Sequence, residues 1–257
     1  MKGRLKYFSA VFFLLASTSL LIFLTSCSVK EDRRLCPATL LLDLPAADSA
    51  ASSLHIRTLA PDNKASITHV ALGERRIRHK IPVARGKFII VVSSVALQDG
   101  RWLVPEGSPC PEAYICRRRI TVSKEQALFE VRLQKEFCRL DIKLSAPAEG
   151  FSMRIRGRYC GSSLEGNLIE GVFSAPVGSG GSVCVPRQGD ASLMLDVVMP
   201  SEGIVRSFAL GEYLREAGYN WQEGDLQDAS VYVDYVRSEA VISTACWTRT
   251  ISLKYLL

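Results

Sequence analysis

Alternation of apolar and polar residues with a period of two most restricts the fold of this 257-residue sequence. Apolar residues recur at every second position along the chain, at residues 88–92, 129–133, 138–144, 153–156, 193–197 and 231–235. Successive side chains of a β-strand point to opposite faces, so the pattern predicts strands with one buried and one solvated face. Such strands belong to antiparallel sheets. The sequence therefore predicts an all-β protein.

Helical patterns are scarce. Ser123 and Gln126 have the spacing of a capping box and predict a single helical turn. Residues 210–217 predict two turns that end at Gly218. Between residues 193–199 and the strand that follows, a Pro-Ser-Glu-Gly sequence predicts the turn of a hairpin.

The length of the strand-rich region predicts two domains. Strands spaced 8–12 residues apart fill a β-sandwich within about 100 residues. We therefore expect two sandwiches in tandem, over residues 36–136 and 137–257, with the junction at Lys135 and Glu136. No repeat of 20–50 residues is visible, which disfavours solenoids and propellers.

The first 26 residues have the parts of an export signal. A basic start precedes an apolar run over residues 7–24, and small residues then lead to Cys27. This order resembles the bacterial lipobox, in which the signal is cut before the cysteine and the thiol receives a diacylglycerol. It predicts a signal peptide at 1–26, lipidation (diacylglycerol and palmitate) at Cys27 and a polar tether at 27–35. The alternative is an uncleaved transmembrane helix, for which about 18 residues is the short limit.

The tether indicates where a lipid-anchored chain would reside. Two or three acyl chains hold a protein at a membrane essentially permanently. Ser28 is not the aspartate associated with inner-membrane retention, and Lys30 to Asp32 are similar to the export signals of surface lipoproteins in Bacteroidetes. We therefore expect a lipoprotein of the outer membrane, exposed at the cell surface.

The charge distribution gives no reason to expect a nucleic-acid partner. The net charge of +6 includes three cations of the leader, so the surplus on the mature chain is small. The densest basic run, Arg117 to Arg119, is too short for a polybasic arm. It predicts a solvated loop or the start of a strand.

Residues that could carry catalysis or bind a metal are scattered. The three histidines, His55, His69 and His79, lack the i, i+4 spacing of a helical zinc site. The acidic loop at 223–228 could bind calcium weakly, but it lacks the EF-hand pattern. No catalytic motif is present, and we expect no enzyme activity, no metal and no cofactor.

Seven cysteines remain if Cys27 is lipidated, so at least one thiol is unpaired. No pair has the C-x-x-C spacing of zinc ribbons and thioredoxin-like sites. A local bridge between Cys110 and Cys116 is geometrically possible. Cys138 shares a face with apolar residues, which predicts a buried thiol. The disulfide pairing stays open.

Three tryptophans could stack on sugars: Trp102, Trp221 and Trp247. Aromatic side chains more often fill cores, and Trp221 is expected to anchor the loop after the helix. Exposed aromatic clusters do mark binding sites, so a surface glycan-binding lipoprotein is the alternative function.

Four segments carry a resemblance to a family. They are residues 27–37 (lipidated cysteine, charged spacer, Cys-Pro), 83–90, 131–140 and 210–235, with a late Trp247. In this order they are similar to the FimB-like fimbrial anchor lipoproteins of Bacteroidales. The extra cysteines and residues 157–186 depart from the family pattern.

The resemblance implies two tandem transthyretin-like β-sandwiches and a role as the anchor or an accessory subunit of a surface fimbrium. Such a subunit accepts a strand from a stalk subunit and tethers the fibre to the outer membrane. The last residues, 250–257, alternate only briefly, so we expect an acceptor and not a donor. An unfilled apolar groove along a sheet edge would favour assembly, and exposed aromatics would favour glycan binding.

Overall fold

The computed structural model describes residues 37–47, 51–60, 62, 64–145, 151–178, 181–199, 203–234, 237 and 239–253. In its first half the strands are β1 (Pro37–Leu44), β2 (Ser53–Leu59), β3 (Ala65–Ala71), β4 (Ile77–Ala84), β5 (Gly86–Ser93), β6 (Trp102–Leu103), β7 (Tyr114–Val122), β8 (Gln126–Glu130) and β9 (Gln134–Lys135). The second half has β10 (Phe137–Leu144), β11 (Ser152–Ser162), β12 (Leu168–Pro176), β13 (Ser182–Pro186), β14 (Met194–Met199), β15 (Gly203–Phe208), helix α1 (Leu210–Ala217), β16 (Ala229–Asp234), β17 (Glu239–Thr244) and β18 (Thr248–Ser252). The predicted all-β fold is confirmed.

The strands form four sheets that pair into two sandwiches. In the first sandwich the sheet orders are β4-β1-β8 and β3-β2-β5-β7-β9. In the second they are β13-β10-β16-β17-β18 and β12-β11-β14-β15, with β6 added beside β11. Each sandwich encloses its own cluster of buried apolar residues.

Alternation places the core residues as predicted. On β1, every second residue from Ala38 to Leu44 is buried. On β10, Cys138, Leu140 and Ile142 are buried together, which confirms the position of the Cys138 thiol. Burying one leucine side chain contributes about 1.5–3 kcal/mol, so these rows hold the sheets together.

The two sandwiches repeat one topology. Strand β1 pairs antiparallel with β4 and parallel with β8, and β10 pairs in the same two ways with β13 and β16. Leu40 lies opposite Ala127 in the first parallel pair, and Leu140 lies opposite Ala229 in the second. The repeated unit is about 100 residues long, the size of one sandwich. A search for shorter repeats therefore does not find it.

One helical prediction is confirmed and the other is wrong. Helix α1 spans Leu210–Ala217 and ends at Gly218, whose φ is 90°. At Ser123 to Gln126 there is no helical turn, because β7 ends at Val122 and β8 begins at Gln126. The Glu125 carbonyl accepts a hydrogen bond from the Thr39 N–H at 2.8 Å. Pairing with β1 outweighs a single helical turn, which is costly to nucleate.

The hairpin predicted around residues 200–203 is present as a strand pair. Strands β14 and β15 pair antiparallel, with Met199 opposite Gly203. The turn itself, at 200–202, lies outside the described residues.

The segment between β5 and β7 joins the two sandwiches. Trp102, Val104 and Cys110 are buried in the cluster of the second sandwich. Strand β6 pairs with β11, where Leu103 lies opposite Gly161. The domain limits 36–136 and 137–257 stay a prediction.

Candidate functional site

The predicted lipidation site, Cys27, lies outside the described residues, as do the signal peptide and the tether. Within the described residues, no helix has the length and apolar character that crossing a bilayer requires.

The edges of the sheets differ in how they are protected against pairing with another chain. Strand β4 carries Arg78, Lys80 and Pro82. Charged residues and proline discourage the addition of a strand, and proline lacks the N–H that a ladder needs. This edge of the first sandwich is therefore blocked.

Two other edges of the first sandwich expose apolar residues. On β3, Ile67 is 67% exposed, and the strand contains no proline, lysine, arginine or carboxylate. On β8, Leu128 is 62% exposed, and Glu130 is its single charged residue. Exposed apolar strands at an edge are the surfaces on which β-augmentation occurs.

Strand β8 differs from its counterpart in the second sandwich. Strand β16 is covered by β17, in which Ile242 lies opposite Val231 and Ala240 opposite Val233. Within the described part of the chain, β8 pairs with β1 alone. Among the described residues, the sheet built on β1 thus ends at β8, two strands earlier than the sheet built on β10, which continues to β17 and β18.

The backbone of β8 divides into two sets of polar groups. The Thr39 N–H donates to the Glu125 carbonyl at 2.8 Å, and the Val131 N–H donates to the Asp43 carbonyl at 3.0 Å. In a parallel ladder alternate residues face the partner, so the odd-numbered residues of β8 bond to β1. The N–H and C=O groups of Gln126, Leu128 and Glu130 therefore point away from β1, towards the free side.

A pocket of about 530 Å³ lies beyond the end of β2 in the other sheet of the first sandwich. Leu59, Phe88 and Ile120 give it an apolar lining, and Lys87 and Arg119 add two cations. Its lining contains neither tryptophan nor tyrosine. The pocket therefore lacks the flat indole or phenol faces that stack on sugars.

The three tryptophans do not form a shared exposed surface. Trp102 and Trp221 are buried, and Trp247 packs half-buried against the second core. Trp221 contacts Tyr219 edge to face at 4.9 Å, in the loop after α1, as expected for an anchor of that loop.

A buried ion cluster occupies the junction that the sequence places at Lys135 and Glu136. Arg117 donates from Nη1 to Glu136 Oε1 at 2.9 Å, and Arg187 donates from Nε to Glu136 Oε2 at 3.2 Å. Arg117 also reaches Ser162 Oγ at 2.5 Å. Burial lowers the pKa of Arg117, and the Glu136 charge opposes that shift. The cluster links β7 of the first sandwich to β11 and to the residue after β13 in the second.

This cluster corrects the interpretation of the basic run. Arg117 lies on β7 and is largely buried, whereas Arg118 and Arg119 are exposed. Arg119 forms an ion pair with Glu165 at 2.7 Å. Its partner lies 46 residues away and that of Arg117 lies 19 residues away. No local sequence signal separates the buried arginine from its neighbours.

Arg187 binds the acidic loop at residues 223–228 to the junction. Its guanidinium donates to the carbonyls of Trp221 and Glu223, each at 2.6 Å. Asp225 and Asp228 accept hydrogen bonds from the Lys135 N–H at 2.9 Å and the Lys135 ammonium at 2.5 Å. These carboxylates close the loop onto the chain. In the described part of the molecule no group of three or more potential ligands could hold a metal ion.

The histidines are closer than their spacing in sequence indicates. His55 on β2 lies directly opposite His69 on β3, with ring centroids 4.8 Å apart. Burial and the nearby His69 lower the pKa of His55. His79 lies apart from them on β4, as its alternation with Ile77 and Ile81 predicts.

The six described cysteines are all free thiols. The local bridge considered between Cys110 and Cys116 is absent, and both thiols are buried. Burial raises the pKa of Cys110 well above its usual range and that of Cys138 to about 12. Both thiols are therefore protonated and unreactive at neutral pH, as expected of buried cysteine.

No protein-family model matches the sequence, and no curated protein matches it. Solved structures do match. The fimbrial anchor protein Mfa2 from Porphyromonas gingivalis has a TM-score of 0.60 at 9% identity, over 83% of this chain and 99% of Mfa2. This chain has the fold of Bacteroidales fimbrial proteins. A candidate adhesin from Bacteroides thetaiotaomicron has a TM-score of 0.58 at 14% identity, over 84% and 97% of the two chains.

A candidate adhesin from Bacteroides ovatus has a TM-score of 0.57 at 14% identity, over 87% of this chain and 97% of the adhesin. The resemblance that the sequence motifs indicate is thus confirmed for the fold.

Proposed function

We propose that this protein is a lipid-anchored subunit at the base of a surface fimbrium, which accepts a strand from a stalk subunit and tethers the fibre to the outer membrane. The observation that carries the proposal is the fold shared with a fimbrial anchor over 83% of the chain. The lipobox-like sequence at residues 24–27 supplies the attachment point at Cys27. An accessory position beside the anchor is the variant of this role that the same fold supports.

The structure gives more support to assembly than to glycan binding. The first sandwich has open, apolar strand edges, and strand addition uses such edges. The tryptophans that could have formed a sugar platform are buried or half-buried in the second core. We further propose that the protein is not an enzyme, since the solved neighbours are described as adhesins and fimbrial proteins.

Replacing Cys27 tests the anchor. In cells that make fimbriae, Cys27→Ala should shed whole fibres into the medium, because the acyl chains supply the attachment. Mass spectrometry of the native protein should find an acylated N-terminal Cys27. Residues 1–26 still attached, or fibres retained by the Cys27→Ala variant, would refute the anchor.

A short deletion tests the direction of assembly. Removing residues 254–257 should leave subunit incorporation unchanged if this chain is an acceptor. Loss of incorporation, with the domain still folded by circular dichroism, would identify the C-terminus as a donor strand instead.

A further inference from the structure

The two sandwiches share one topology up to β8 and β16, and they differ on the side of these two strands that faces away from β1 and β10. In the second sandwich β16 carries β17 on this side, and in the described part of the first sandwich β8 carries no such strand. We infer that this side of β8 accepts one antiparallel strand from another fimbrial subunit, at the position that β17 occupies on β16. The inference rests on the proposed function and gives it a site.

The backbone of β8 is arranged for this addition. Gln126, Leu128 and Glu130 direct their N–H and C=O groups away from β1, by the alternation of the β1–β8 ladder. Their counterparts on β16, two of which are Ser230 and Tyr232, lie opposite Ser243 and Val241 of β17. The added strand would make the equivalent ladder and would lie antiparallel to β8.

Strand β17 also shows which side chains the added strand needs. Ile242 and Ala240, opposite Val231 and Val233, are fully buried. The matching residues beside the free side of β8 are Phe129, which is half-buried, and Val131. The partner segment therefore carries aliphatic residues at two alternate positions, opposite Phe129 and Val131. Polar residues between them would face solvent beside Leu128.

Two segments of this sequence that lie outside the described residues do not fit this requirement. Residues 255–257 are consecutive apolar residues without alternation, and they follow β18 in the other sandwich. Half of the residues in 27–36 are charged, which leaves no run of alternate aliphatic residues. These two segments are therefore disfavoured as the occupant, and the inference assigns the edge to a segment of another chain.

Charge disfavours a second copy of this chain as the occupant. Pairing two β8 strands over their full length places Leu128 opposite its own copy. The same register places Lys124 opposite Arg132 at both ends, and like charges directly opposite each other are destabilising. A segment of a different subunit, with acidic residues at its ends, avoids this repulsion.

A photo-crosslinker at the edge identifies the occupant. The probe is p-benzoylphenylalanine, placed at position 128 and, as a matched control, at position 67 on the other open edge, in the full chain within cells that make fimbriae. We expect irradiation to join position 128 to an extended segment of another fimbrial subunit, and position 67 to show no such product.

Any other crosslinking result would overturn the inference. Crosslinks from position 128 to a second copy of this chain would assign the edge to self-association. Crosslinks to residues 27–36 would show that the chain covers its own edge. No product above that of position 67, in cells where Cys27→Ala still sheds fibres, would remove the site and leave the proposed function standing.

Two substitutions at position 128 distinguish the contribution of the backbone N–H from that of the side chain. Leu128→Pro removes an N–H that points away from β1, so the β1–β8 ladder is kept. Leu128→Ala keeps that N–H. We expect Leu128→Pro to lower fibre retained on cells about tenfold or more, and Leu128→Ala to keep it within about twofold.

Thermal unfolding checks that both variants are folded. Normal retention by a folded Leu128→Pro variant would overturn the inference. If Leu128→Pro does not fold, the crosslinking result decides. Loss of retention in both Cys27→Ala and Leu128→Pro supports the anchor and the site together, whereas retention in Cys27→Ala refutes the anchor whatever happens at β8.

Discussion

Within the described residues, the sheet built on β1 in the first sandwich has three strands, whereas the equivalent sheet built on β10 has five. The additional strands β17 and β18 bury Ile242 and Ala240 and protect one side of β16. Helix α1 also belongs to the second sandwich and contributes Leu210, Tyr213 and Leu214 to its core. One topology thus exists within one chain in a five-stranded form, whose edge lies at β18, and in an open three-stranded form, whose edge strand β8 exposes Leu128.

The largest expected effect on the free energy of unfolding is at the junction between the two sandwiches. Glu136→Ala should lower the free energy of unfolding by about 3–5 kcal/mol, because it leaves Arg117 and Arg187 buried without their common carboxylate. Chemical denaturation of residues 28–257 measures this loss. We expect one shared transition for both sandwiches in the wild type.

The control is Glu130→Ala at the exposed end of β8. Glu130 pairs with Arg132 at 3.0 Å on the surface, and such pairs contribute about 0–1 kcal/mol. A loss for Glu136→Ala no larger than that of the control would contradict the role of the junction. Two separate wild-type transitions would show that the sandwiches unfold independently.

Matched core positions test whether the two sandwiches are held in the same way. Leu40→Ala and Leu140→Ala should each cost about 2–5 kcal/mol, since both leucines are buried opposite an alanine of the parallel neighbour strand. Urea denaturation compares them, with Leu41→Ala on the other face of β1 as the control. A cost for Leu40→Ala as small as the control would mean that the open sandwich is loosely packed.

Low pH should destabilise the second sandwich through a buried carboxylate that has no counterpart on the equivalent strand of the first sandwich. Asp196 on β14 is fully buried, and the equivalent strand β5 has no acidic residue. Burial alone would raise the pKa of Asp196. Hydrogen bonds from Arg156 and Ser207 and the charges of Arg156 and Arg154 outweigh burial and lower it.

A carboxyl group whose pKa is lowered on folding stabilises the protein above its unfolded pKa, which is about 3.9. That contribution is lost as the pH falls through the lower pKa of the folded state. Asp196→Asn should therefore cost about 1–3 kcal/mol at pH 7 and less at pH 3, measured by urea denaturation at both values. An equal cost at both values would contradict the role of the charge.

The smallest expected effect is a difference in hydrogen-exchange rate, which involves no change in the free energy of unfolding. Hydrogen exchange of the full chain alone should be faster at the Leu128 amide than at the Ser230 amide, because β17 covers the latter. Equal protection would show that a segment of this chain already covers β8. Added partner subunit should slow exchange at Leu128.

Alternation predicts strands at the positions of β5, β8, β10, β11, β14 and β16, and the Gly218 stop predicts the end of α1. Both signals are local, since they depend on residues a few positions apart. Burial of Arg117 could not be predicted, because its carboxylate partner is 19 residues away and its neighbours are also arginines. The open side of β8 also could not be predicted from the sequence. Phe129 and Val131 alternate as in any strand, and only the comparison with β16 shows that β8 lacks a second neighbour in the described part of the chain.

The parallel pairing of β1 and β8 has a mechanical consequence. In the proposed arrangement the lipid pulls on the chain just before β1, and the fibre pulls on the strand added to β8. When the fibre pulls the added strand from the end beside the C-terminal end of β1, the load runs along the strand axes and shears the whole ladder at once, so its hydrogen bonds resist together and do not break one by one. The second sandwich lies outside this line of force. In this arrangement the sheet built on β10 carries no tension between lipid and fibre, and the ladder of β1, β8 and the added strand determines how firmly a fibre is held.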